Sequence, residues 1–372
     1  MDGNTETVNI IYASNDGYAC HLAASLASLL DHSKGIPSLD IYVLSVGMCR
    51  EFKERLKEMA SSFGRRLFAV ELGDLRQRFD YDIDTRGFDI SAMGRLFAPK
   101  VLPEYVKRAL YLDCDTIING SILPVYGTDM GSCLVGMVME PTVYREMKES
   151  IGLGKEDPYY NSGVLLMDLE GWRREHVLEQ LLEFYGKHEG RLFACDQDTI
   201  NGALQGRIFP LPPRYNYFTN YRYFHYDTLV SLCPAYGRIG REAYRLAGRA
   251  PVVIHYLGDE RPWIAGNHNH FRRLYEYYLG RTPWKGMEKQ RGKEGYMQLW
   301  WVFNHVSFLC PPIRLWVSRR LGMKVIDSRK DRGKGNRKDS RKGHRKTCGQ
   351  GGAGGRRAEG CKKTVGGADQ HE

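Results

Sequence analysis

The stretch Ala109-Leu110-Tyr111-Leu112-Asp113-Cys114-Asp115-Thr116-Ile117-Ile118 decides how the chain is read. Ala109 to Leu112 reads as a buried strand, and Ile117 and Ile118 resume the apolar run. Between them stand two aspartates, one residue apart. In an extended chain, residues i and i+2 share a face. Two like charges on that face repel each other and lose water beside a core strand. A divalent cation shared by both carboxylates cancels the repulsion, and hard oxygen ligands favour Mg²⁺ or Mn²⁺. An acidic strand end exposed to water satisfies the same residues, and the pair alone does not choose between the two readings.

Working outward, Val8 to Ala13 is a short β-branched run broken by Ser14-Asn15-Asp16-Gly17. Ala19, Leu22, Ala23, Leu26, Leu29 and Leu30 then recur at helical spacing. Leu39 to Val46 and Leu67 to Leu72 read as strands around a charged amphipathic helix, Glu51 to Phe63. Met93 to Leu102 predicts a helix closed by Pro103, and Leu134 to Met139 a fifth strand. Strands alternating with helices argue for an α/β fold with a mainly parallel sheet covered on both faces. Such sheets bind ligands beyond the carboxyl ends of their strands. Asn15 and Asp16 follow the first strand and Asp113 and Asp115 the fourth, so one rim gathers them. No G-x-G-x-x-G follows the first strand and no Walker loop occurs, so glycines do not cradle phosphate in those ways.

The chain has 372 residues, 42% of them apolar, with 23 tyrosines, which suits one large domain with extras, or two domains. Formal net charge is +10, but residues 328–372 hold 14 Lys and Arg against 5 Asp and Glu, a net of +9. The body is therefore close to neutral, which argues against a nucleic-acid-binding body. Nine cysteines, odd in number and without a C-x-x-C pair, form neither a disulfide framework nor a zinc pattern. Together with a polar N-terminus unlike a signal peptide, this predicts a cytoplasmic protein. No run reaches the roughly 18 apolar residues of a membrane span.

From Gly280 the character changes. Tyr296 to Leu309 is aromatic and apolar, Pro311-Pro312 interrupts it, and Ile313 to Val325 mixes Arg and Lys with Leu, Trp and Val. The pattern suits an interfacial segment lying on an anionic membrane surface, or a helical cap packed on the core. Residues 328–372 carry almost no large apolar side chain and predict a disordered basic tail.

Five segments, in order, carry a resemblance: Val8 to Leu30, Gly94-Arg95-Leu96, the D-x-D of residues 108–120, Tyr160-Asn161-Ser162-Gly163-Val164-Leu165, and Asp196-Gln197-Asp198-Thr199-Ile200-Asn201. A sixth, His255-Tyr256-Leu257-Gly258 through Arg261-Pro262-Trp263, closes the series. Together they resemble glycosyltransferase family 8, retaining nucleotide-sugar-dependent enzymes that include lipopolysaccharide galactosyl- and glucosyltransferases. The resemblance implies a GT-A fold over residues 1–270; the pattern and composition beyond it mark a C-terminal amphipathic helical region, 271–327, and the basic tail, 328–372. It implies that Ala13 and Asn15 meet uracil and ribose, and that Arg95 lies near the diphosphate. Asp113 would touch ribose and metal, Asp115 and His255 the metal, and Gly258 the phosphate through its N–H. Asn161 and Asp196 would position the sugar, with Gln197 under the anomeric carbon. Arg261 stands where the family usually has Lys; a planar fork replaces a point charge, and pairing with diphosphate is kept.

The implied activity is metal-dependent transfer of galactose or glucose from a UDP-sugar to a glycan or lipid-linked acceptor, forming an α-linkage, at the inner face of the membrane. Two other classes fit parts of the chain: a non-catalytic sugar-nucleotide-binding scaffold, and a nucleic-acid binder acting through the tail. Singly, each residue also has a plain role. His255 could be an ordinary half-buried histidine, Arg95 a salt-bridge partner, Asn161 a turn residue, and Asp196 a helix N-cap. The tyrosines from Tyr215 to Tyr226 serve equally as core or as a stacking platform for sugar rings.

Overall fold

Ten strands run through the described part of the chain, which in this computed structural model comprises residues 7–141, 144–258, 260–317 and 320. They are β1 (Val8–Ser14), β2 (Leu39–Ser45), β3 (Arg66–Glu71), β4 (Arg108–Leu112), β5 (Thr116–Ile118), β6 (Val135–Met139), β7 (Tyr160–Asp168), β8 (Ile208–Leu211), β9 (Tyr217–Phe218) and β10 (Val253–His255). Seven form one sheet in the order β3-β2-β1-β4-β7-β6-β8. Its neighbours are parallel except around β7, which runs against both β4 and β6. The sheet is thus mixed and mainly parallel, as the alternation of elements predicts. Every residue of β1, β2 and β6 is buried, as are those of β4 after Arg108, which explains their continuous apolar runs.

A small second sheet, β5-β10-β9, sets the site apart from a plain doubly wound fold. β5 pairs antiparallel with β10, bringing Thr116 opposite His255. Helix Ala19–His32 is packed against β5 and helix Arg272–Leu279, and its residues from Ala19 to Leu30 are all buried. That enclosure accounts for its many small residues. Ser25 Oγ meets Tyr12 Oη at 3.1 Å and Thr116 Oγ1 at 3.0 Å, and Ser28 Oγ accepts from the Ile118 N–H at 2.9 Å. These bonds tie β5 to the helix and fix the chain just after the two aspartates.

Two local readings are corrected. Asp113 and Asp115 are not on an extended strand: β4 ends at Leu112, and the chain turns over residues 113–115 before β5 joins the other sheet. The turn is held by the buried Cys114, whose Sγ donates to Ala13 O at 3.3 Å, and by Thr116 Oγ1 donating to Asp113 O at 2.8 Å. The helix expected over Met93 to Leu102 is a 3₁₀ segment, Ile90–Phe97, followed by a short α-helix, Ala98–Val101. Pro99 supplies a reason, because it has no N–H for an i−4 bond and suits the first turn of a new helix.

The C-terminal region is helical over Glu294–Leu309, breaks at Cys310, and is helical again over residues 311–317. Met297, Asn304 and Ser307 face the body, while Leu299 is 72% and Leu309 84% exposed. Among the described residues no helix is long and apolar enough to cross a membrane. The rest of the expected amphipathic segment, apart from position 320, and the whole basic tail lie outside the described residues.

Candidate active site

A cleft of about 410 Å³ opens at the rim where β1, β4 and β6 end. Ala13, Arg95, Asp113, Asp115 and Asn161 line it, as do Asp196, Gln197, His255, Gly258 and Arg261. Asn15 is the one expected site residue outside this lining. Its Oδ1 caps the 3₁₀ turn Asp16–Tyr18 by accepting from the Tyr18 N–H, and its Nδ2 donates to Asp89, which does line the cleft.

Asp113, Asp115 and His255 each offer one ligand atom, all within 4.8 Å of one another. His255 Nε2 lies 3.2 Å from Asp115 Oδ1 and 3.9 Å from Asp113 Oδ2. The orientation of the ring follows from a chain of hydrogen bonds that begins at a backbone donor. The Gly163 N–H donates to Asn161 Oδ1 at 2.9 Å, which fixes the direction of that amide. Asn161 Oδ1 then takes a second bond from Asn216 Nδ2, also at 2.9 Å, so Asn216 must present its Oδ1 to His255 Nδ1, again 2.9 Å away. Nδ1 therefore carries a proton, and Nε2 on the other side of the ring faces the two carboxylates. Two carboxylates and an imidazole converging at this distance is an arrangement a divalent cation satisfies. The donor set fits such an ion, with two hard oxygens and one imidazole nitrogen. Burial alone would raise the Asp115 carboxyl, but His255 and Arg261 reverse this and hold it well below the usual carboxylate range.

The wall opposite is built around Arg95, only 2% exposed. Its Nη2 donates to Asp113 Oδ1 at 2.8 Å, its Nε lies 3.2 Å from Asp196 Oδ2, and its Nη1 donates to Ser162 O. The guanidinium also lies 4.4 Å from the centroid of the Tyr111 ring. Asp196 does not cap its helix, Cys195–Ala203; it accepts from Ser162 Oγ at 2.9 Å and pairs with Arg95. Burial raises the Asp196 carboxyl, and Arg95 opposes that rise. The residue that serves the helix start is Asp198, which accepts from the Ala194 N–H at 2.7 Å and from Tyr159 Oη at 2.5 Å. Burial pushes the Asp198 carboxyl up to about 6. Gln197 Oε1 accepts from the Ser162 N–H at 3.0 Å and from Asn161 Nδ2 at 2.9 Å. Its Nε2 donates to Glu140 Oε2 and Tyr159 Oη, each at 3.1 Å. All four directions of this amide are taken.

On the third side, Arg261 donates from Nε to Gly258 O at 3.1 Å and from Nη1 to Tyr18 Oη at 3.3 Å, and its Nη2 lies 3.9 Å from Asp115 Oδ2. Gly258 has a φ of +82°, where a side chain would be strained. Tyr217, Phe218 and Tyr221 of the tyrosine-rich stretch are buried core, though Tyr221 reaches the cleft wall.

Sequence reasoning missed Glu140 and Asn216. Glu140 directly follows β6, which is parallel to β4, so the strand-end rule that picked out Asp113 also applied to it. Asn216, fully buried between two tyrosines, gave no sequence signal.

The profile of the family described as "Glycosyl transferase family 8" matches residues 9–266. General stress protein A of Bacillus subtilis is 27% identical over 282 residues, covering 75% of this chain and 95% of that protein. Lipopolysaccharide 1,2-glucosyltransferase of Escherichia coli is 23% identical, covering 76% and 80%. Among solved structures, the galactosyltransferase LgtC with donor and acceptor sugar analogues superposes with a TM-score of 0.63 at 21% identity, over 74% of this chain and 96% of that one. That likeness gives the GT-A fold, with its two sheets and the acidic turn between them. With a profile match running from β1 to just past His255 and Arg261, the chain belongs to glycosyltransferase family 8 and is a glycosyltransferase.

Proposed function

We propose that the protein is a retaining hexosyltransferase. It moves galactose or glucose from a UDP-sugar to a hydroxyl of a glycan or lipid-linked, lipopolysaccharide-type acceptor, and it uses Mn²⁺ or Mg²⁺ held by Asp113, Asp115 and His255. The observation that carries this reading is the convergence of these three groups, with Arg261 and Gly258 beside them on the same rim. The names of the Escherichia coli relative and of the LgtC structure support the choice of sugar and acceptor.

A bound cation supplies Lewis-acid stabilisation of the leaving diphosphate. Arg261 adds a second positive charge on the side of Asp115, and charge-assisted bonds to phosphate oxygens are its natural chemistry. Arg95 keeps Asp113 and Asp196 in place and offsets their charge where the donor sugar would lie. The Gln197 amide has both carbonyl lone pairs committed, so it serves as a fixed dipole beside the sugar and neither attacks nor deprotonates. An inverting enzyme needs a base opposite the leaving group, and position 197 offers none.

The test is a screen of nucleotide-sugars for metal-dependent hydrolysis and transfer. Release of UDP from UDP-galactose or UDP-glucose, lost with EDTA, is the expected result; a sugar-nucleotide-binding scaffold would bind donor and release nothing. The transfer product should show the anomeric proton doublet of an α-linkage, and a β-linked product would overturn the retaining assignment.

The exposed apolar face of the C-terminal helices, with Leu299, Leu309 and Trp316, supports docking on an anionic membrane surface next to the basic tail. Replacing Leu309 and Trp316 together by Ser should weaken co-sedimentation with phosphatidylglycerol vesicles about tenfold, since each buried apolar anchor is worth roughly 1.5–3 kcal/mol and insertion is partial. Unchanged co-sedimentation would remove the membrane reading.

A further inference from the structure

Two buried charges of opposite sign lie where the C-terminal segment packs on the body. Glu260 is 3% exposed and Arg314 is 4% exposed. Arg314 Nη1 donates to Asn304 Oδ1 at 2.6 Å and to Ser307 Oγ at 2.9 Å, both on helix Glu294–Leu309. Its guanidinium is boxed by the rings of Phe224 at 4.2 Å, Phe303 at 5.1 Å and Trp300 at 5.9 Å. The Asn304 side chain also acts on the Glu260 carboxylate, opposing the rise that burial imposes, while Glu260 Oε1 itself is buried without a hydrogen-bond partner among the described residues. Burial lowers the Arg314 guanidinium to about 10 and raises the Glu260 carboxyl, and each charge opposes the other's shift, so the arginine stays charged at neutral pH.

Burying a charge pair is an expensive way to attach a surface helix. Apolar side chains of the same volume pack as well or better, whereas a polar network tolerates few positions. What this network fixes is Glu260, the neighbour of Arg261. The Glu260 carbonyl is held too, accepting from Asn269 Nδ2 at 2.9 Å, and that same nitrogen binds Thr219 Oγ1 at 3.0 Å. Arg261 Nε closes back on Gly258 O at 3.1 Å. A rotation at Glu260 therefore carries the Arg261 guanidinium and the Gly258 peptide with it.

We propose that Arg314, acting through Asn304 and Glu260, is a positioning residue for Gly258 and Arg261, so that the C-terminal segment sets how the Arg261 guanidinium meets the leaving diphosphate. The proposal rests on the donor reading above. Arg314 itself lines no part of the cleft.

The test is a double-mutant cycle in the full-length protein, reading UDP-sugar hydrolysis and UDP affinity with Mn²⁺. Arg314→Met alone should lower kcat/KM about tenfold, within the range that a displacement of about 1 Å costs a reacting group. In an Arg261→Ala background the same substitution should cost less than twofold, because the group it positions is gone. Distant sites with purely structural roles combine multiplicatively, so a tenfold loss in both backgrounds, or none in the wild type, overturns the proposal. Glu260→Gln should follow the same pattern. Where Arg314→Met does not fold, Arg314→Lys keeps the charge, gives up the planar fork, and runs the same cycle. A wild-type protein that binds no UDP would sink the donor reading and this proposal together. Binding and hydrolysis by the wild type, with multiplicative losses in the variants, would sink this proposal alone.

Discussion

Asp115→Asn should lower metal-dependent turnover about a thousandfold while leaving the fold intact, a loss equivalent to roughly 4 kcal/mol of transition-state stabilisation. The choice of Asp115 over Asp113 follows from their partners. Asp113 Oδ1 accepts from Arg95 Nη2 and Tyr111 Oη, each at 2.8 Å, so neutralising it strips a counter-charge from an arginine only 2% exposed. Folding would suffer along with activity. Asp115 faces His255 Nε2 at 3.2 Å and Arg261 Nη2 at 3.9 Å, the one a proposed ligand for the same ion and the other a partly exposed cation. Asparagine keeps the shape, loses the charge, and leaves the Arg95 network untouched. Activity titrated against Mn²⁺ and circular dichroism of the same sample separate the two effects. A variant with wild-type kcat at saturating Mn²⁺ would show that the cation is held elsewhere, and the convergence of the three groups would then need another explanation.

Much of this site was legible because strand ends are legible. A β-branched run followed by polar residues marks where a strand meets the rim, and it picks out Asn15 after β1 and Asp113 after β4, whereas Ala13 and His255 come from the family resemblance. What remained hidden was of two kinds. The short strands β5, β9 and β10 hold two or three residues each, too few for a period-two pattern, so the second sheet and the true conformation of residues 113–115 were invisible. The partners that orient ligands were hidden for a different reason. Asn216 is 39 residues from His255 and Glu140 is 57 from Gln197. Local spacing carries no information about such contacts. Arg314 shows the same limit from the other direction: among the basic and aromatic residues of an apparently interfacial segment, nothing marked the one whose charge turns inward.

Gly163→Ala should weaken Mn²⁺ binding about a hundredfold, although residue 163 touches no ion. Gly163 lies in β7, where β4 passes alongside and its carbonyl accepts from the Asp113 N–H at 2.8 Å. A Cβ at this position would stand 2.2 Å from His255 Cε1, 2.7 Å from His255 Nδ1 and 2.9 Å from Asn161 Oδ1. Cε1 and Nδ1 of the imidazole pack against the glycine, and no rotation of a methyl group relieves contacts this short. Either the ring leaves or the strand bends. Both outcomes disturb the bond between His255 Nδ1 and Asn216, which orients the ring so that Nε2 faces the two carboxylates. Loss of such an orienting partner costs about 10- to 100-fold in metal affinity, and displacement of the ligand itself puts the expected loss at the upper end. Overpacking of this kind also destabilises by about 1–3 kcal/mol, so binding is to be measured by calorimetry well below the variant's melting temperature. His255→Ala in the Gly163→Ala background distinguishes the cause. With the ring removed, only the 2.9 Å contact with Asn161 Oδ1 remains, and the double variant should bind Mn²⁺ little more weakly than His255→Ala alone. A large further loss in the double variant would mean that the glycine acts through the β7 backbone and the Asp113 peptide, and not through the histidine it lies beneath.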